Sequence, residues 1–271
     1  MKIVNSISRP QKVYETSGSQ PALILCDDFN LYVCKYNRQQ GVEAKKLFNE
    51  FLAGHFAQIW NLSIPEFCLV KVNPEHISGH NSLQPAFFKT TCFGSKHNRH
   101  LAEVDEFYSE ISPAQKKKFH KKYDFLKIAL FDIWLANEDR NYNNYNLLID
   151  IENQNKFTPI DHDAIFNTGN LDKGLVLLCD NESLIHTDLV KRLFTSKELR
   201  NSDFMKNLKK EYYLYISKCE NNLDRILQKT PDDWQINRAE YQNLLKENLF
   251  KKQWVDESLE YFLYLVQLQF K

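Results

Sequence analysis

Apolar residues in the first third of the chain fall in short runs bounded by turn residues, the pattern of strands, with one helical stretch among them. Lys12 to Glu15 reads as a short strand, followed by the small-residue turn Thr16-Ser17-Gly18-Ser19-Gln20-Pro21. Ala22 to Cys26 continues as a buried strand, Asp27 to Asn30 is a hairpin turn, and Leu31 to Tyr36 is the return strand. After Gly41, the residues Leu47, Phe51, Leu52, Phe56, Ile59 and Trp60 recur at helical spacing, which predicts a long helix ending near Asn61. Ile64 to Val72, with Pro65 at its start, reads as a further strand. Pro85, Gly94 and small polar residues predict a connector from Pro85 to about Ser95.

Beyond the connector the periodicity becomes helical. Tyr123 to Ala136 carries Phe125, Leu126, Ile128, Ala129, Phe131, Ile133, Trp134 and Leu135, apolar on most sides and so predicted to be a buried helix. A polar loop, Asn137 to Asn144, comes next. Two short strands follow, Tyr145 to Ile151 and Lys156 to Ile160, joined by a polar turn. Amphipathic helices and polar joints make up the rest. Thr230-Pro231-Asp232-Asp233 predicts a helix start, and Glu257 to Phe270 an aromatic-rich final helix. The predicted fold class is α+β. A small β-rich unit with one long helix spans residues 1–90, and a larger, mostly helical unit spans residues 91–271. This order of elements is that of a bilobal, protein-kinase-like fold.

A chain of 271 residues can bury a large core, and its 43% hydrophobic and 26% charged residues suit a globular protein. The 35 Lys and Arg balance the 35 Asp and Glu, so no global field favours nucleic acid or an anionic membrane, and nucleic-acid binding is not expected. The one basic run, Lys116 to Lys122, reads more readily as a solvated helix face than as a docking patch. No signal peptide and no apolar run long enough to span a membrane is visible. The six cysteines are scattered without a CxxC pair and read as reduced, buried thiols, which predicts a cytoplasmic protein.

Candidate chemistry begins in the polar loop. Asp139 and Asn144 stand five positions apart, a spacing that supplies a carboxylate to orient a substrate hydroxyl and a neutral oxygen ligand for Mg²⁺ from one loop. Asp161, leaving a buried strand after a hairpin, is the expected main Mg²⁺ ligand, with Asp163 as the alternative. Lys35 sits on a strand within an apolar run and needs partners to be buried. ATP phosphates and a glutamate of the next helix would serve, and Glu50 suits better than Glu43. The turn containing Ser17, Gly18, Ser19 and Gln20 offers backbone N–H groups and hydroxyls to phosphate oxygens. Each residue also has a plainer reading: loop residue, turn former, snorkelling lysine, solvated glutamate or simple hairpin. Their joint occurrence in this order points to phosphoryl transfer. His162 reads as structural or as a support behind the site residues, because one histidine beside two aspartates is not a zinc site.

Several stretches together resemble the HipA-like kinases, and the compact bacterial branch more than the longer toxins. They are Ser17 to Ala22, Tyr32 to Lys35, Asn49 to Ala53 running to Leu62-Ser-Ile-Pro65-Glu66, Phe131 to Arg140, and Pro159 to His162. The resemblance covers roughly residues 12–170; the Asp-Arg loop is also similar to that of phosphatidylinositol kinases. It implies a bilobal kinase that uses Mg-ATP, with Asp139 as catalytic base, Asn144 and Asp161 as metal ligands, Lys35 as the phosphate-binding lysine and Glu50 as its partner. It further implies Ser or Thr phosphorylation of proteins, with Ser17 or Ser19 as autophosphorylation sites. Many relatives carry histidine where Asn141 stands, a departure that bears on loop geometry rather than on metal binding. A toxin–antitoxin role also enters with the resemblance. The chain's length, without room for the N-terminal subdomain of the full-length toxins, counts against it. A kinase of a small molecule or lipid headgroup, an AMP transferase and a nucleotide-binding pseudokinase are the alternatives, and the acceptor is not identified by any pattern.

Overall fold

A computed structural model describes residues 1–15, 19–39, 41–104, 119, 121–150, 156–200 and 203–270. Ser17 and Gly18 of the expected phosphate loop, most of the basic run and the turn at 152–155 lie outside these residues. Strands β1 (Ile3–Asn5), β2 (Lys12–Val13), β3 (Ala22–Leu25), β4 (Leu31–Lys35), β5 (Phe67–Lys71) and β6 (Cys92–Lys96) form one sheet in the order β1-β5-β6-β4-β3-β2. Only the β1–β5 pair is parallel among them. The expected connector is therefore corrected: its last part is β6, paired on both sides, with Cys34 opposite Gly94 and Val70 opposite Cys92. Gly94 reads as a linker residue but is there for packing. A Cβ at that position would lie 2.5 Å from a Val70 methyl, and glycine in a strand interior marks such a close approach.

Side chains alternate across a strand, and the sheet's two faces follow from that. Tyr32, Cys34, Cys68, Val70 and Cys92 join Val4, Ala22 and Ile24 in one apolar cluster. Leu69 and Phe93 belong to the other cluster, which includes helix α1 (Lys45–Ile59). On β4 the same alternation turns Lys35 away from Tyr32 and Cys34 and towards α1. This helix lies between the sheet and the helical remainder, so even its polar Asn49 and Glu50 are buried.

Helix α2 (Tyr123–Leu135) is buried continuously from Phe125 to Leu135, as its sequence predicts. It precedes β8 (Leu147–Asp150) and β9 (Lys156–Pro159), which with β7 (Leu101–Glu103) form an antiparallel sheet in the order β7-β8-β9. Helices α3 (Asp203–Leu227), α4 (Arg238–Leu244) and α5 (Lys252–Gln269) follow. The indole of Trp254 on α5 donates to Trp134 O at 2.9 Å, locking that helix onto the end of α2.

Three further expectations are corrected. The Thr230–Asp233 segment starts no α-helix: a 3₁₀ turn, Asp232–Trp234, stands there, and α4 begins at Arg238 behind an Asn237 cap. The Asp233 carboxylate instead accepts from Thr91 N and Oγ1 at 2.8 and 2.7 Å. Lys122, at the end of the basic run, is not a solvated face residue; its ammonium pairs with Glu198 and donates to Leu193 O. Five cysteines are buried free thiols, whereas Cys179 is exposed. Among the described residues no helix is long and apolar enough to cross a membrane.

Candidate active site

Three expected residues from distant parts of the chain meet in one ionic cluster. Lys35 Nζ, at the end of β4, donates to Glu50 Oε1 on α1 and to Asp161 Oδ1, the latter at 2.5 Å. Burial by itself would lower the lysine; Glu50 and Asp161 outweigh it and hold the ammonium well above its ordinary value. For Glu50, burial dominates and pushes the carboxyl up to about 7 despite Lys35. Burial also acts upward on Asp161, but the attraction of Lys35 prevails and leaves it below its ordinary value. Glu43, the alternative partner, pairs with Lys45 instead. Asp163 faces a different cation, Lys46, at 3.1 Å, and its carbonyl accepts from Asn49 at 2.9 Å. Lys46, Asn49 and Glu50 share one face of α1 by their three- and four-residue spacing, and that face receives the Asp161–Asp163 segment.

The polar loop carries the second group. Asp139 Oδ2 accepts from Asn144 Nδ2 at 3.1 Å and from Asn146 Nδ2 at 3.0 Å. Asn141 and Asn144 exchange backbone hydrogen bonds, and Asn141 donates its side-chain amide to Glu138 O while accepting from Asn143 N. Asparagine at 141 thus holds the loop from within. Asn146 O in turn accepts from Ile160 N at 3.0 Å, so Asp139 is hydrogen-bonded to the residue that pairs with the one before Asp161.

A buried network joins the two groups. Arg140 has no exposed surface. Its guanidinium pairs with Asp132 on α2 and donates to Ile160 O at 2.5 Å and to Asn146 O at 3.3 Å, with His162 Nε2 3.3 Å away. The His162 backbone N–H donates to Glu50 Oε1 at 3.0 Å. Burial, then the Arg140 and Lys35 cations, hold the His162 ring far below its ordinary pKa and therefore neutral. The sequence alone gives Asn146, Arg140 and Asp132 no role in this network. Asp132, an acid set deep in the apolar run of its helix, and Asn146, which repeats Asn144 two positions on, are the available signals. Of the expected phosphate loop, Ser19 and Gln20 are described. Gln20 adopts φ 46°; its carbonyl accepts from Tyr36 Oη at 2.9 Å and its side-chain oxygen from Arg38 at 2.8 Å.

A lysine shared by a helix glutamate and a post-strand aspartate, joined through Arg140 to an Asp/Asn loop, is an arrangement that suits a kinase. The chain belongs to the HipA-like kinase family, whose profile matches residues 7–262. In fold it is similar to the crystal structure of CtkA, a proinflammatory kinase of Helicobacter pylori. The TM-score is 0.57 at 13% identity, covering 97% of this chain and 99% of that one. No curated protein sequence matches the chain.

Proposed function

We propose that the chain is an ATP- and Mg²⁺-dependent kinase that phosphorylates Ser or Thr of a protein acceptor. The reading rests on the contact of Lys35 with both Glu50 and Asp161. A lysine held between two carboxylates is charged and aimed, which is what a phosphate-binding lysine requires. We further read the first sheet, β6 included, and α1 as a small lobe, with ATP bound between it and the helical remainder.

The donor set fits a hard cation. Asp161 offers a carboxylate that keeps 31% of its side-chain surface open. With its N–H donated to Asp139, Asn144 can offer a cation its carbonyl oxygen. Mg²⁺ prefers such oxygen ligands and completes its shell with water and substrate phosphates, so Asp161 and Asn144 would hold it. When bound, it would neutralise charge on the transferring phosphoryl group. The protein's own residues then act by placement. Lys35, steadied by Glu50, binds the substrate phosphates. Asp139, its Oδ2 occupied by two amides, orients the acceptor hydroxyl and receives its proton. The loop at Ser17, Gly18, Ser19 and Gln20 would cover the phosphates.

Incubation with γ-labelled ATP, Mg²⁺ and lysate proteins tests this reading. Label on Ser or Thr of the chain itself or of an acceptor is expected. Label on lipid or small molecules alone, or an added AMP by intact mass, would replace the protein-kinase reading.

A further inference from the structure

Beyond Asp163 the chain takes three consecutive left-handed residues, none of them glycine. Phe166 has φ 62° and ψ 47°, Asn167 48° and 57°, and Thr168 58° and 41°; Gly169 follows at φ 85°. An L-residue in this conformation brings its Cβ too close to the following carbonyl oxygen, so the turn persists only where its surroundings hold it. One carboxylate holds two of the three. Glu138 Oε1 accepts from Asn167 Nδ2 at 3.0 Å, and Oε2 accepts from Thr168 Oγ1 at 2.7 Å. Asn167 also clasps Val176, donating to its carbonyl at 3.0 Å and accepting from its N–H at 2.9 Å. The Asn167 backbone N–H donates to Ala136 O, on the left-handed residue that ends α2.

Glu138 and Arg140 are the two neighbours of Asp139. Arg140 binds the carbonyl of Ile160, just before Asp161, and Glu138 binds the turn just after Asp163. The loop is therefore fastened on both sides of the segment that carries Asp161.

We propose that Glu138 is a positioning residue for phosphoryl transfer: it clamps the left-handed turn Phe166–Thr168 onto the Asp139 loop and so fixes Asp139 relative to Asp161. The proposal rests on the roles given to those two aspartates above. A carboxylate suits the task because both groups it faces are donors. Glutamine keeps one accepting oxygen, and the Thr168 hydroxyl can turn to accept from its amide, so Glu138→Gln preserves most of the clamp. Glu138→Ala removes it, and Thr168→Ala removes half.

The test combines amide hydrogen exchange on the full chain with steady-state transfer from Mg-ATP. Glu138→Ala is expected to speed exchange across residues 166–176, leave exchange in α1 and the first sheet unchanged, and lower kcat roughly tenfold with little change in the KM for ATP, as small misplacements of reacting groups do. Thr168→Ala should fall between, and Glu138→Gln should restore both readouts. Faster exchange with an unchanged kcat would make the clamp purely structural and overturn the proposal. So would exchange unchanged by either alanine. A wild-type chain that transfers no phosphate would overturn the function proposed above and the catalytic part of this inference together, while the exchange data would still decide the clamp.

Discussion

Replacing Lys35 by methionine removes a cation that two carboxylates share. The side chains of Lys35 and Glu50 are 13% and 5% exposed, so this is a buried pair. Removing one member of such a pair costs about 3–5 kcal/mol, because the charge left behind is uncompensated. Here the loss should fall at the lower end. Glu50, already raised to about 7 by burial, escapes by taking up a proton, and Asp161 keeps partial access to water. A group whose folded-state pKa is raised favours the fold fully below its unfolded value, here 4.5, and that contribution fades as the pH rises towards about 7. Without Lys35 the Glu50 carboxyl is raised further, so the cost of Lys35→Met should be larger at about pH 8, where Glu50 must be kept protonated against the pH, than at about pH 5.5, where it is neutral with or without the cation. Glu50→Gln is milder: the carboxamide oxygen can still accept from the His162 N–H, and Lys35 retains Asp161. It should cost about 1.5–3 kcal/mol, the contribution of a hydrogen bond to a charged group. The double variant should cost less than the sum of the singles by more than about 1 kcal/mol, since the residues act as one unit. Urea unfolding followed by far-UV circular dichroism reads all of these values. Singles that add to within about 0.5 kcal/mol would refute the shared-charge reasoning, as would a Lys35→Met cost that does not depend on pH.

Gly94→Ala should destabilise the chain by about 1–3 kcal/mol through overpacking against Val70, and Val70→Ala in the same chain should recover most of that loss in thermal melts. His55 is held down to about 4, chiefly by burial and then by Lys229. A depressed group contributes stability above its unfolded value of 6.5 and loses it as the pH falls towards about 4. The difference reaches about 3 kcal/mol there, so His55→Phe should flatten that acid limb in melts taken across the range.

Much of the site was legible because it depends on local rules. Period-two alternation on β4 turns Lys35 to the α1 side, and the helical spacing of α1 puts Glu50 beside the Asp161 segment. The five-residue spacing from Asp139 to Asn144 lets both sit in one loop and bond to each other. What was not legible depends on long-range packing. Gly94 looks like a linker residue until Val70 is seen to approach it. Arg140 looks like a loop cation, and only the fold reveals that it is fully buried, joining α2 to the strand that leads to Asp161. The left-handed turn at Phe166–Thr168 leaves little signal, because only Asn167 among its three residues favours that conformation and phenylalanine and threonine do not.

Asp161 carries the most weight in the proposed chemistry. Asp161→Asn keeps the shape and an acceptor for Lys35 but removes the charge proposed to hold Mg²⁺, so phosphate transfer from γ-labelled ATP should fall by about a hundred- to a thousandfold, on the scale of electrostatic contributions to catalysis. Circular dichroism and melting of the variant should remain those of a folded chain. Transfer by a folded Asp161→Asn variant at the wild-type rate would contradict the account.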